Sequence, residues 1–110
     1  MDQVRAPAVA GAFYPASAAA LKLEVTALLG SGTAPARGAR PKALIAPHAG
    51  YIYSGLTAAH AYRELAPWRD EITRVILLGP AHRERVTGLA LPAAQAFATP
   101  LGPIDRKSVV

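Results

Sequence analysis

Two short apolar runs, each ended by a proline with a histidine just beyond it, constrain this chain more than any other feature. Ala43-Leu44-Ile45-Ala46 leads into Pro47-His48-Ala49-Gly50-Tyr51, and Arg74-Val75-Ile76-Leu77-Leu78 leads into Gly79-Pro80-Ala81-His82. Runs of this kind read as buried strands, over Lys42–Ala46 and Thr73–Leu78. A helix between them makes a βαβ unit, for which parallel pairing and a right-handed crossover are strongly favoured. Both histidines then leave at the same edge, outside the carboxyl ends of the strands, where open α/β sheets bind ligands.

The connecting helix is predicted from Ser54, a good cap, to about Ala66, where Pro67 ends it. Gly55, Ala58, Ala59, Tyr62, Leu65 and Ala66 share one stripe, small enough at its start to lie close against a sheet. His60 falls on the opposite, exposed face with Leu56 and Arg63. A first helix runs from Ser17 to about Leu29, with Leu21, Val25, Leu28 and Leu29 on one face and Gly30 as its stop. Before it, Val9 to Tyr14 is a short apolar stretch. Residues Ser31 to Pro41 form a surface loop rich in Gly, Pro and Ala. Gly88–Pro92 and Gln95–Ala98 are further candidate strands, Thr99-Pro100-Leu101-Gly102 a turn, and Asp105 the cap of a last helical turn. Trp68 is expected to pack under the end of the second helix.

The expected class is therefore α/β, a parallel-containing sheet with a βαβ unit flanked by helices. Parallel sheets need both faces covered, and only two credible helices are present, so the domain reads as incomplete, a truncated piece of a larger one. At 110 residues it is one domain at most. No apolar run approaches the roughly 20 residues that span a bilayer, and no signal-peptide layout opens the chain. The absence of cysteine excludes disulfides and thiolate ligands. A cytoplasmic protein without membrane association is expected. The net charge of +5 invites a nucleic-acid reading, but the basic residues are dispersed and no aromatics interleave with them to stack bases. No nucleic-acid partner is expected.

The chemistry lies with the two histidines. Adjacent parallel strands are roughly 4.8 Å apart, so side chains just past their ends can meet at one ion. Two imidazoles and a carboxylate suit non-haem Fe(II); with another oxygen or nitrogen donor they could hold Zn or Cu. A third ligand is not evident. Glu84 projects to the opposite side of an extended segment from His82, and Asp2, Glu24, Glu64, Asp70, Glu71 and Asp105 show no placement at this edge. Tyr51 and Tyr53 flank the loop after His48, where a phenol could meet a substrate or simply pack.

At these residues the chain resembles the Memo family, also called AmmeMemoRadiSam system protein B. The matching elements are Val9-Ala10-Gly11-Ala12-Phe13-Tyr14-Pro15, then Ile45 to Gly55 (IAPHAGYIYSG), then Ala58-Ala59-His60-Ala61-Tyr62. Leu77-Leu78-Gly79-Pro80-Ala81-His82 and Thr99-Pro100-Leu101-Gly102 complete the order. The resemblance implies an α/β fold related to the class III extradiol dioxygenases, with a non-haem iron. It makes His48 and His82 the metal-binding and candidate catalytic residues, and places Phe13 in the same pocket, beside Tyr51. Fe(II) is the expected ion, with Cu or Zn as alternatives.

Three departures accompany the resemblance. The family's GPSHH is Gly79-Pro80-Ala81-His82-Arg83 here, Asp105 follows the TPLG turn almost at once, and family chains continue beyond position 110, where their remaining ligand lies. Residues 1–110 thus read as the N-terminal portion of a single Memo-like domain. Three alternative readings follow: a dioxygenase-related metal enzyme acting on a small molecule; a binding module that uses the same cleft for an anionic or phosphorylated peptide or protein, with Arg83 and Arg85 as phosphate partners; or a truncated piece with no independent function.

Overall fold

The computed structural model describes residues 3–31 and 38–106. Its elements in chain order are β1 (Val4–Arg5), α1 (Ala18–Gly30), α2 (Tyr51–Arg63), a single 3-10 turn at Ala66–Trp68, β2 (Ala96–Thr99) and β3 (Gly102–Asp105). The α/β class holds, with a mixed sheet of order β1-β2-β3. β1 pairs parallel to β2, Val4 opposite Ala96 and Arg5 opposite Phe97, with both helices in the crossover between them.

α1 starts where its cap predicts. The Ser17 side chain accepts from the Ala20 N–H at 3.1 Å, taking one of the donors a helix leaves orphaned at its start. Leu21 is 4% exposed and anchors the inner face, flanked by half-buried Val25 and Leu28. The end differs from expectation. Gly30 is the last helical residue and has no left-handed φ; Ser31 caps instead, through its N–H and its hydroxyl to the Leu28 carbonyl.

α2 begins three residues before the predicted cap. The Tyr51 N–H donates to the Phe13 carbonyl at 2.8 Å, so an orphan donor of the helix start is satisfied by the N-terminal segment. Ser54 then lies inside the helix. The inner stripe packs on α1 rather than on a sheet, with Gly55 and Ala59 buried. A Cβ built on Gly55 would stand 3.2 Å from a Leu28 methyl, so the missing side chain sets how near the two helices lie. Arg63 is not on the solvent face expected from its spacing: it is 8% exposed. Its Nε donates to the Leu29 carbonyl at 2.9 Å and its Nη2 to that of Leu28 at 3.0 Å. His60 is exposed, as expected, and Trp68 is half-buried in the 3-10 turn.

The two strands predicted just before the histidines are not formed. Lys42–Ala46 and Thr73–Leu78 are neither strand nor helix, and the same is true of Gly88–Pro92. Ile45 is 99% exposed, and Val75 to Leu78 range from 75% to 89%. The reason is physical: a parallel strand gains its stability from ladder partners and from cover on both faces. Here the two helices bury their faces against each other, and no described segment supplies a ladder to either run.

The C-terminal hairpin is half as expected. Residues 99–102 turn, with Thr99 Oγ1 donating to the Gly102 carbonyl at 2.7 Å and Gly102 at φ +121°, a conformation that favours glycine. The chain then returns antiparallel along β2, placing Ala96 opposite Asp105. Asp105 is therefore a strand residue rather than a helix cap. The Arg106 N–H to the Gln95 carbonyl carries the pairing one step further. Residues 107–110 of the predicted helical turn, and 32–37 of the predicted loop, lie outside the described residues.

Candidate functional site

The site grows from the junction between the N-terminal segment and the start of α2. Gly11, at φ +83°, folds Val9–Tyr14 into a tight turn, with its N–H bonded to the Tyr14 carbonyl at 2.7 Å. That turn presents the Phe13 carbonyl to Tyr51 and lays the Tyr14 ring against the Tyr51 ring, centroids 5.7 Å apart. Gly50, buried, passes close over the Phe13 backbone. The Pro47–Gly50 loop, which carries His48, is thereby tied down at its C-terminal end.

His82 comes to His48 from the irregular segment after Leu78. The two Nε2 atoms are 3.2 Å apart and the rings tilt by 47°. Two unprotonated lone pairs do not sit at this separation by choice, so one ring donates and the other accepts, or both face a shared cation. Imidazole nitrogens are common ligands of transition metals, and His48 and His82 are the residues that would hold such an ion here. The donor set thus fits two ligands of a metal centre. Among the described residues, no group of three or more His, Asp or Glu gathers to complete it. Glu84, Arg83 and Arg85 are exposed.

Beside His48 opens a groove of about 310 Å³, walled by Phe13, Tyr14, Val25, Leu28 and Tyr51 among others. Three of the four residues singled out by sequence, Phe13, His48 and Tyr51, line it; His82 stands outside its wall. Burial, first of all, raises the Tyr51 phenol above its ordinary value, helped by Tyr14, Glu24 and Tyr62. It is accordingly a neutral hydrogen-bond donor at physiological pH. Tyr14 and Ser54 also line the groove, beyond the residues the sequence singles out for it. Tyr14 adjoins Phe13 in the N-terminal motif, and that adjacency was the available signal.

The family model described as Memo-like protein matches residues 5–108 of the chain. The chain belongs to the Memo-like family. It is 46% identical over 111 residues to a MEMO1 family protein of Methanothermobacter thermautotrophicus, covering 96% of this chain and 40% of the relative. Against a MEMO1 family protein of Aquifex aeolicus the identity is 43% over 108 residues, 94% of this chain and 36% of the relative. Protein MEMO1 of Danio rerio is 43% identical over 93 residues, 84% of this chain and 30% of the relative. This Memo-like chain therefore spans 30% to 40% of the length of these relatives. No helix among the described residues is long and apolar enough to cross a membrane.

Proposed function

We propose that His48 and His82 are two ligands of a dioxygenase-related, non-haem iron site, and that the groove beside them receives the substrate. One observation supports this above the others: two imidazole Nε2 atoms from positions 34 residues apart meet at 3.2 Å next to an apolar groove. Iron at that position would supply Lewis-acid polarisation of a bound oxygen, or activation of O₂. The chain's own part is to orient and to exclude water. Phe13, Val25 and Leu28 offer apolar contact, while the protonated Tyr51 phenol can donate to an oxygen of the bound molecule.

The test is metal content of anaerobically purified protein, wild type beside the His48→Ala/His82→Ala double variant, by plasma mass spectrometry. Near-stoichiometric iron that disappears in the double variant supports the proposal. Equal metal content in both, or none in wild type, overturns it.

A second reading is carried by Arg83 and Arg85, exposed just after His82. Guanidinium groups there would hold the phosphate of an anionic peptide lying along the groove. An Arg83→Ala/Arg85→Ala variant that loses phosphopeptide affinity without losing metal would favour it.

A further inference from the structure

We infer that Ser54 is a positioning residue for His48, an inference that rests on the metal-site reading above. The His48 ring meets the other imidazole and is exposed, so its own packing does little to aim it. What holds it is the backbone that follows. The Ser54 hydroxyl reaches back to donate to the Ala49 carbonyl at 3.2 Å, on the residue that follows His48. A helical serine ordinarily bonds to the carbonyl four residues back. Here that carbonyl, on Gly50, already accepts from the Tyr53 and Ser54 N–H groups at 2.9 Å and 3.1 Å. The hydroxyl is thus released to reach one residue further, out of the helix and into the loop.

The second hold comes from Phe13, whose carbonyl takes the Tyr51 N–H at 2.8 Å. Ala49 and Tyr51 are therefore each held, one by the Ser54 hydroxyl and one by the N-terminal turn, with Gly50 between them. A ligand's supporting hydrogen bonds commonly change metal affinity about 10- to 100-fold when removed. Ser54 supports its ligand through the backbone rather than through the imidazole, so the lower end of that range is expected.

The experiment is titration of the chain with Co(II) under anaerobic conditions, following affinity and the visible ligand-field bands, for wild type, Ser54→Ala, Ser54→Thr and His48→Ala. Ser54→Ala is expected to weaken Co(II) binding about 10-fold and shift the bands, with thermal unfolding unchanged. Ser54→Thr, which keeps the hydroxyl, restores both. If Ser54→Ala binds Co(II) like wild type while His48→Ala abolishes binding, the positioning role is overturned and the metal site stands. If His48→Ala binds Co(II) as well as wild type does, or wild type does not bind, the metal site falls and this role falls with it.

Discussion

Arg63, on α2, donates from Nε to the carbonyl of Leu29, in the last turn of α1, at 2.9 Å. The same guanidinium reaches the Leu28 carbonyl at 3.0 Å and the Ser31 hydroxyl at 3.3 Å. α1 has no basic residue in its own last turn, so the cation that complements its terminal carbonyls is supplied by its neighbour. The helix end and the helix–helix contact are one interaction. Arg63→Ala is expected to lower stability by about 2 kcal/mol in urea unfolding, the scale for hydrogen bonds to a charged group. Arg63→Lys recovers less than half of this, because an ammonium lacks the planar fork that serves two carbonyls and a hydroxyl together.

Gly55 sets the distance between the same two helices. A Cβ there meets the Leu28 methyl at 3.2 Å and Tyr51 Cβ at 3.4 Å. The leucine methyl can turn aside, and alanine improves helix propensity by up to about 1 kcal/mol, so Gly55→Ala is expected to unfold close to wild type. Gly55→Leu has no such relief and is expected to cost about 1–3 kcal/mol as overpacking. Urea midpoints of the two variants measure the difference directly.

These helices show where the amino-acid pattern is informative and where it is not. α1 is legible because everything that defines it is local: the Ser17 cap and an apolar face at helical spacing. The start of α2 is not, because its stabilising acceptor is the Phe13 carbonyl, far away in sequence. Arg63 reads as a surface residue for the same reason: its partners are backbone carbonyls 34 and 35 residues earlier. Apolar runs such as Val75–Leu78 announce a wish for burial without saying what will cover them. Adjacent strands would bring His48 and His82 together. The two rings do meet, without that ladder, through the clamped loop on one side and an irregular segment on the other.

Both histidines are exposed, and exposed polar substitutions usually move stability by less than about 0.5 kcal/mol. His48→Ala and His82→Ala are therefore expected to unfold like wild type in thermal melts. On the proposed reading each nevertheless loses metal. A matching drop in melting temperature for the apo proteins would mean that the rings are structural.

Tyr51 gives the groove a signature at alkaline pH. Burial holds its folded-state pKa above the unfolded value of 10.0. Between these two values the folded chain keeps a proton that the unfolded chain has released. Stability is thus full below pH 10.0 and falls as pH rises from there towards the folded-state value. Urea midpoints on either side of pH 10 are expected to decline in wild type and to decline less in Tyr51→Phe. Equal slopes in the two proteins would remove Tyr51 as the source.

Residues 73–93 leave the helical body after Ile72, whose N–H bonds to the Trp68 carbonyl, and the chain is held again at buried Ala94, whose carbonyl accepts from Arg106 Nε, and at Gln95, whose N–H donates to the Gln3 carbonyl. His82 lies near the middle of this span. An ion shared with His48 would be a cross-link there, dividing one long loop into two shorter ones and removing chain entropy that favours excursions. The exposed apolar run Val75–Leu78 sits in the first of those loops, and contiguous apolar surface of this kind favours association. Tethering shortens its reach. Filling the histidine pair and restraining self-association would then be a single event, read as a fall in light scattering on loading.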